Sequence, residues 1–398
     1  MTLNTKEIIE QTDKYYLPVF SRNQIALDHG KGSKLYDAEG KEYTDFLAGI
    51  AVNGLGHAHP AIVAAISEQA GKIIHSSNLY YTEIQAKAVK VLSEVSGFER
   101  VFLCNSGAEA NEGALKLARK YGVAKSPKKF RIISAVHSFH GRTMATLTAT
   151  GQDHYHEGLS PLPLGYEYVP YGDSKALEEA MGEDVCGVLL EPIQGEGGVH
   201  VPTNEYLLKA RELCDKYDAL LMFDEIQSGI CRSGKWFAWE HSGARPDVMT
   251  MAKALGGGFP MGAFVTTERL AHVFAPGDHG STFGGNPLSC AAAYASLTTM
   301  KEMKLDQVAA ETGAYFKVEL EKLQKQFPDK IVEVRGRGLI LGMELTKPGA
   351  PIVKGCLERG MIINCTAGNV IRLVPPLIIS KEEIDALMIV FKEVLKEF

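Results

Sequence analysis

The chain has 398 residues, of which 45% are hydrophobic, and its 42 lysines and arginines against 48 aspartates and glutamates give a net charge of −6. A chain of this length can bury a large core and favours two or three structural units over one. The mild acidity and the lack of a basic tract predict neither nucleic acid nor a membrane as a partner. Small molecules are therefore the expected ligands.

The first residues, 1–10, are charged and lack the apolar stretch of a signal peptide. No uninterrupted apolar run elsewhere is long enough to span a bilayer. We therefore expect a cytoplasmic protein. Seven cysteines, an odd number without a CxxC pair, predict neither a disulfide framework nor a cysteine-ligated zinc site.

Two close histidine pairs, His57 with His59 and His154 with His156, are the only hint of metal ligation in the sequence. Neither pair has acidic or cysteine neighbours at the spacing that metal sites use. No metal site is predicted.

Residues 1–60 form the first predicted unit. Lys34–Phe46 has the pattern of short strands with a turn at Asp37–Gly40. We expect this N-terminal segment to pack against the smaller of two domains.

Residues 61–290 alternate between helix-like stretches, short apolar runs and turns. Several of the apolar runs are apolar on both faces, as in a parallel sheet covered by helices. This pattern predicts a doubly wound α/β domain. The candidate strands are Arg100–Cys104, Phe130–Ala135, Cys186–Leu190, Ala219–Phe223, Val248–Met251 and Ala263–Thr266.

The pattern changes after the small-residue stretch Ser289–Ser296. Gln307–Phe327 and Lys381–Phe398 are predicted to be helices, and Ile331–Leu345 a pair of strands. Residues 291–398 are therefore expected to form a smaller α+β domain.

Two charged residues stand in segments that are otherwise apolar. Asp224 closes the run Ala219–Phe223, and Lys253 follows the strand Val248–Met251. Because burying a lone charge is costly, each must be paired or used in chemistry. Pyridoxal 5′-phosphate (PLP) would use both, since a lysine condenses with its aldehyde and a carboxylate keeps its pyridine nitrogen protonated. A structural ion pair explains the two residues equally well on their own.

The segment Phe102–Glu112 runs from a strand through a small-residue turn into a helix. Free amides at a helix N-terminus bind anions, and Gly107 allows a phosphate to approach the backbone closely. A plain turn with Ser106 as the helix cap is the alternative. The sequence contains neither GxxxxGK[ST] nor GxGxxG, so nucleotide-binding classes lack their own fingerprints.

Three further loops follow predicted strands or precede a helix. In Ser138–Thr143, Phe139 could stack on a planar ring and Arg142 could hold a carboxylate, although arginines after strands are more often surface residues. Glu191–Gly198 suits either a cavity-lining loop or an acidic surface turn. His279–Pro287 places two hydroxyls in a glycine-rich loop, which again suits phosphate.

The order and joint occurrence of these motifs resemble the class III, ornithine-type, aminotransferases of PLP fold type I. The resemblance covers nearly the whole chain and implies a large, mostly parallel, doubly wound domain with a smaller α+β domain. It is carried by Leu47–Asn53, Gly56–Pro60, Asn105–Asn111, Phe139–Thr143, Asp224–Gly229, Lys253, Thr282–Pro287 and Ile371–Pro376.

The resemblance also implies roles for individual residues. Lys253 corresponds to the Schiff-base lysine that also carries the proton, and Asp224 to the partner of the pyridine nitrogen. Gln227 would reach the ring hydroxyl, and Thr282 would bind the phosphate of the neighbouring subunit, which implies a homodimer with shared sites. The implied cofactor contacts are Gly107, Ala108, Phe139, Asp224, Glu225, Ile226, Gln227, Lys253 and Thr282.

Within the class, Leu47–Asn53 and His75–Tyr81 are most similar to N-acetylornithine aminotransferases, which implies transamination of N-acetylornithine with 2-oxoglutarate in arginine biosynthesis. Arg142, with Ser281 nearby, would hold the carboxylate far from the reacting amine. Arg372 would hold the α-carboxylate of glutamate, and Glu196 would pair with Arg372 when the other substrate is bound.

Other functions remain open from the sequence. Succinylornithine, ornithine and 4-aminobutyrate aminotransferases would all retain Lys253, Asp224 and Arg142. An isomerase of the glutamate-semialdehyde aminomutase type would share the fold and the lysine, although Arg372 favours an enzyme with two substrates. A catalytically inert binding protein would not require Lys253 and Asp224.

Overall fold

The structure is a computed structural model that describes residues 3–398. It begins with the helix Thr5–Tyr15, which starts where Asn4 accepts a hydrogen bond from the amide of Glu7. A small sheet follows, with the strands β1 Leu27–Lys31, β2 Lys34–Asp37 and β3 Glu42–Asp45. The strands predicted within Lys34–Phe46 are thus confirmed. A two-residue strand from the other end of the chain, Met361–Ile362, pairs in parallel with β3.

A seven-stranded sheet forms the centre of the molecule. Its strands are β4 Arg100–Cys104, β5 Arg131–Ala135, β6 Tyr166–Val169, β7 Val185–Leu190, β8 Leu220–Asp224, β9 Val248–Met251 and β10 Gly262–Thr266. The order across the sheet is β4-β10-β9-β8-β7-β5-β6. The five strands from β9 to β6 are parallel, whereas β10 is antiparallel to both of its neighbours. The mostly parallel α/β fold is therefore confirmed.

One strand was not predicted from the sequence, and the direction of another was not foreseen. β6, Tyr166–Val169, alternates in polarity and is only half-buried, so it lacks the continuous apolar run that marked the others. β10 is buried on both faces like its parallel neighbours, so its sequence carries no sign of its reversed direction.

Helices cover both faces of the large sheet, as expected when every strand from β7 to β9 is fully buried. No helix within residues 3–398 combines the length and hydropathy needed to cross a membrane. The helices of this part are Pro60–Ala70, Glu83–Ser96, Gly107–Val123, Met144–Ala149, Ser174–Ala180 and Asn204–Lys216, with 3-10 turns at Asp153–Tyr155, Ala238–His241, Lys253–Gly256 and Glu268–Leu270.

The C-terminal part contains a third sheet, which is antiparallel. Its order is β11 (Ile331–Arg337), β12 (Ile340–Leu345), β15 (Val370–Leu373) and β14 (Asn364–Thr366). The predicted helices and strand pair of this part are confirmed to within two residues. The helix Pro287–Glu302 runs through positions 290 and 291, where the sequence suggested a change of domain. The elements are the helices Pro287–Glu302, Leu305–Gln326, Ala350–Glu358 and Lys381–Glu397 and the strands β11 Ile331–Arg337, β12 Ile340–Leu345, β13 Met361–Ile362, β14 Asn364–Thr366 and β15 Val370–Leu373.

Candidate active site

A cavity of about 490 Å³ opens where strands β5, β7 and β8 reach their carboxyl ends. This edge of the sheet is where open α/β folds bind ligands, because loops diverge there around the strand ends. The cavity brings together residues from six separate segments of the chain. Its lining includes Gly107, Ala108, Phe139, Arg142, Glu191, Glu196, Asp224, Ile226, Gln227 and Lys253.

Asp224 is the last residue of β8 and only 3% exposed. One carboxylate oxygen accepts hydrogen bonds from Asn111 Nδ2 and His140 Nδ1, both at 2.8 Å, and the other accepts from the amide of Ile226 at 3.0 Å. These three donors fix the carboxylate and compensate for its burial. No role was predicted for Asn111 or His140, since neither lies next to Asp224 along the chain.

Lys253 follows β9 and begins the 3-10 turn Lys253–Gly256. Its φ of 44° lies in the left-handed region, where residues other than glycine are uncommon. Strained backbone of this kind is often found at functional sites. Burial and the positive charge of Arg372 lower the pKa of Lys253 to about 8. The side chain therefore presents a neutral, nucleophilic amine at mildly alkaline pH.

The helix Gly107–Val123 points its N-terminus into the cavity. Ser106 caps the helix through the amide of Glu109, whereas the amides of Gly107 and Ala108 have no acceptor within the helix. A Cβ at Gly107 would lie 2.7 Å from Ile226 Cδ1, so only glycine leaves this approach open. The helix end suits a phosphate group.

Arg372 is fully buried and lies against Glu196. Its Nη1 donates to Glu196 Oε2 at 2.6 Å and to Gln227 Oε1 at 3.1 Å. Among the described residues, Arg372 Nη2 is buried without a hydrogen-bond partner. Burial alone would raise the pKa of Glu196, but the charge and hydrogen bond of Arg372 outweigh it and hold that pKa below its usual value. The ion pair is thus intact, with one donor of the guanidinium to spare.

Arg142 also lines the cavity and is exposed. Its guanidinium stacks on the ring of Tyr155, 3.8 Å from the ring centroid, and Tyr155 in turn contacts Phe139 edge to face. Tyr155 belongs to the short turn Asp153–Tyr155, whose sequence carried no signal of a role in the site. The ring of Tyr155 orients the guanidinium of Arg142 by this stacking contact.

Glu191 follows β7 and is 5% exposed. Its carboxyl oxygens accept from the amide of Phe139 at 3.1 Å and the amide of Gly195 at 3.3 Å. Burial and the nearby charge of Asp224 raise the pKa of Glu191 well above its usual value. It links the Phe139 segment to the loop that carries Glu196.

Four residues that the sequence assigned to the site, Glu225, Ser281, Thr282 and Arg372, are not among those that line the cavity. Glu225 points away from it, because neighbouring positions at the end of a strand face opposite sides, and its carboxylate accepts instead from Ser228 Oγ and the Trp239 amide. Thr282 is exposed, and Ser281 Oγ accepts from Asn105 Nδ2 at 3.0 Å. The implied contact of Glu225 with the cofactor stays a prediction, and its side chain faces away from the cavity.

The residues present fit PLP. The cavity is lined by two apolar side chains that would contact a flat ring, Phe139 and Ile226, by the hydrogen-bonded carboxylate of Asp224, by the amine of Lys253 and by the helix N-terminus at Gly107 and Ala108. Within residues 3–398, no cluster of three or more histidine, cysteine, aspartate or glutamate side chains is arranged to hold a metal ion.

Comparison with known proteins identifies the class. The family model for class-III aminotransferases matches residues 17–395. An acetylornithine aminotransferase of Methanocaldococcus jannaschii is 50% identical over 391 residues, which cover 98% of this chain and 98% of that protein. One from Caldanaerobacter subterraneus is 50% identical over 393 residues, 98% of this chain and 99% of that protein.

Solved structures agree. The ornithine aminotransferase of Toxoplasma gondii superposes with a TM-score of 0.96 at 34% identity, covering 100% of this chain and 96% of that one. The acetylornithine aminotransferase of Elizabethkingia anophelis gives 0.88 at 35% identity, with both chains fully covered. The chain belongs to the class-III aminotransferases, which are PLP-dependent enzymes.

When bound, PLP supplies an aldehyde that takes up the amino group and a protonated ring that withdraws electrons from the reacting carbon. The protein's share is visible in its own residues. Asp224 would face the ring nitrogen with its hydrogen-bonded carboxylate, and Lys253 would offer an amine that is easily deprotonated. Phe139 and Ile226, which both line the cavity, would contact the ring.

The lowered pKa of Lys253 can be measured in the protein freed of cofactor. Labelling of Lys253 with acetic anhydride, followed by mass spectrometry across pH 6.5 to 10, should rise with a midpoint near 8. In Arg372→Gln the midpoint should move upward, because a neighbouring positive charge is gone. A midpoint near 10.4, the ordinary value for lysine, or one that ignores Arg372→Gln, would contradict this account.

Proposed function

We propose that this aminotransferase moves the δ-amino group of N-acetylornithine to 2-oxoglutarate and forms N-acetylglutamate 5-semialdehyde and glutamate. The observation that carries the proposal is the ion pair of the buried Arg372 with Glu196, which lines the cavity together with Lys253 and Arg142. The names of the relatives at about 50% identity support the same substrate.

The arrangement suits two substrates that share only one end. N-acetylornithine, reacting through its δ-amine, has its α-carboxylate at a distance similar to that of the γ-carboxylate of glutamate. Arg142 can hold that distal carboxylate in both cases, because the guanidinium fork matches a carboxylate. The terminal amine of N-acetylornithine brings no second carboxylate to the reacting carbon, so Arg372 stays paired with Glu196.

Glutamate needs the opposite state of the pair. Its α-carboxylate stands beside the reacting carbon and requires a cation there. Arg372 has an unused buried donor, Nη2, and can meet the carboxylate once Glu196 releases it. With Arg142 and Arg372 holding the two carboxylates, Lys253 would transfer the proton at the reacting carbon.

A panel of half-reactions tests the proposal. The PLP form of the enzyme is mixed in turn with N-acetylornithine, N-succinylornithine, ornithine, 4-aminobutyrate and glutamate, and cofactor absorbance is followed by stopped flow. N-acetylornithine and glutamate should react fastest. Lys253→Ala is the control, and its rates should fall by at least about a thousandfold because the proton carrier is lost. Faster reaction of another terminal amine would replace N-acetylornithine as the substrate.

The pair of Glu196 and Arg372 should govern substrate choice in opposite directions. Glu196→Ala leaves Arg372 always available and should favour glutamate over N-acetylornithine, whereas Arg372→Ala should favour N-acetylornithine. A tenfold change in each direction corresponds to about 1.4 kcal/mol, within the range of a charged hydrogen bond. Single-turnover rates with both substrates measure the change. Equal losses on both substrates in both variants would reduce Glu196 to a structural role.

We further propose that the active unit is a cytoplasmic homodimer, in which the seven unpaired cysteines would remain reduced. A surface near the cavity exposes large apolar side chains, with Leu79 at 84%, Tyr81 at 102% and Phe283 at 60%. A groove of about 610 Å³ runs beside Tyr81. Contiguous apolar surface of this kind suits burial against a second copy, and Thr282 lies within it.

Subunit mixing tests whether Thr282 serves the neighbouring site. Lys253→Ala and Thr282→Ala subunits, inactive or weakly active alone at limiting PLP, are mixed under conditions of exchange. If Thr282 acts across the interface, each heterodimer gains one site with both residues intact, and activity at limiting PLP should rise. If exchange is shown by mass spectrometry and activity does not rise, Thr282 acts in its own subunit or not at all.

A further inference from the structure

The segment between β3 and the helix Pro60–Ala70 contains an unusually strained turn. Four consecutive residues, Ala48–Ala51, have positive φ values of 50°, 64°, 65° and 62°. Only Gly49 adopts this conformation without cost, whereas each of the three residues with a side chain is destabilised there by the close approach of its Cβ to the backbone. Ile50 is β-branched, for which a positive φ is a true outlier. Something outside the turn must hold it in place.

Asp45 supplies most of that support. Its carboxylate is 1% exposed and caps the turn, because Oδ1 accepts from the amides of Leu47 and Ala48, both at 2.8 Å. The other oxygen, Oδ2, accepts from His57 Nε2 at 2.7 Å. A buried carboxylate with three donors is a firm anchor, and it depends on every one of them.

His57 is itself fixed by its backbone. Its amide donates to the carbonyl of Gly32 at 2.8 Å, and its carbonyl accepts from the amide of Gly32 at 3.0 Å. Gly30 lies so close that an added Cβ would be 2.8 Å from His57 Cβ. The imidazole is therefore held against Asp45 by the hairpin of β1 and β2.

The residues that flank the turn contact the segments that carry Lys253 and Arg372. Val52, the residue after the turn, lines the cavity. Asn53 Oδ1 would lie 2.9 Å from a Cβ at Gly258, in the connection that carries Lys253. On the other side, the carbonyl of Phe46 accepts from the amide of Val374 at 2.9 Å, two residues after Arg372.

We propose that Asp45 and His57 are positioning residues for substrate binding, which act by holding the left-handed turn Ala48–Ala51 so that Val52 closes the cavity between Lys253 and Arg372. Neither touches the reacting atoms. The substrate side of this inference rests on the proposed function, whereas the control of the turn does not. Losing the anchor should leave the site correctly built in only a fraction of molecules, which weakens apparent binding by that fraction.

The first experiment separates positioning from general stability. In the PLP-loaded enzyme, His57→Phe removes the donor and keeps the bulk, whereas His57→Gln retains a donor near the place of Nε2. His57→Phe should raise KM for both substrates about tenfold, as for a competent fraction of about one tenth, with kcat changed by less than about threefold. His57→Gln should recover most of the loss. His59→Phe is the matched control, because His59 caps the next helix and touches no part of the turn.

The second experiment tests the strain itself. Ala48→Gly and Ala51→Gly remove the penalty for positive φ, so either should rescue His57→Phe to within about threefold of the KM of the parent. Ala58→Gly is the control, because Ala58 also has a positive φ, 50°, but lies outside the turn. Rescue by Ala58→Gly, or none by Ala48→Gly and Ala51→Gly, would overturn the proposal.

Hydrogen exchange gives a readout that needs no substrate. Amides 47–54 should exchange about tenfold faster in His57→Phe than in the parent, and Ala51→Gly should slow them again. This measurement uses no substrate, so it tests the role of Asp45 and His57 even if N-acetylornithine proves not to be the substrate. If His57→Phe fails to fold, Asp45→Asn, which keeps an acceptor for the turn and loses the charge, should show the same pattern at smaller amplitude. Unchanged exchange in the folded variants would refute the role of the pair.

Discussion

The need to compensate buried charge governs the architecture of the active site. Asp224 stands at the end of a strand with no exposed residue, and the burial of its carboxylate is compensated because Asn111, His140 and the backbone of Ile226 all donate to it. Each donor comes from a different segment, so the site forms only when the sheet and its loops are assembled. Fold and chemistry thus depend on the same hydrogen bonds.

The remaining charges of the cavity follow the same rule. Arg372 is fully buried, and Glu196 and Gln227 take up one of its nitrogens while another stays without a partner. A buried guanidinium with an unpaired nitrogen is destabilising before substrate binds. A substrate carboxylate that pairs with it removes that cost. Burial and the charge of this nearby cation lower the pKa of Lys253. A substrate carboxylate that neutralises Arg372 would therefore also alter the protonation of Lys253.

Much of this could be foreseen from the chain, and the failures have physical causes. Fully buried strands such as Val248–Met251 and the charged residues Asp224 and Lys253 stand out locally, because apolar runs and misplaced charges are visible in a single segment. His140 and Tyr155 act through contacts between segments far apart in the chain, and no local pattern marks them. The same limit hid the reversed direction of β10, since pairing direction is set by partners.

That reversed strand has a consequence for how the protein tolerates change. Parallel neighbours need a crossover of a dozen or more residues, whereas antiparallel strands can be joined directly. Because β10 runs antiparallel to β9, only residues 252–261 connect them, and this short link contains Lys253 and lines the cavity from Ala252 to Met261. Insertions in the long crossovers between parallel strands can loop out into solvent. An insertion here would displace Lys253 or the other residues of the link that line the cavity. The length of this link should therefore vary least within the domain.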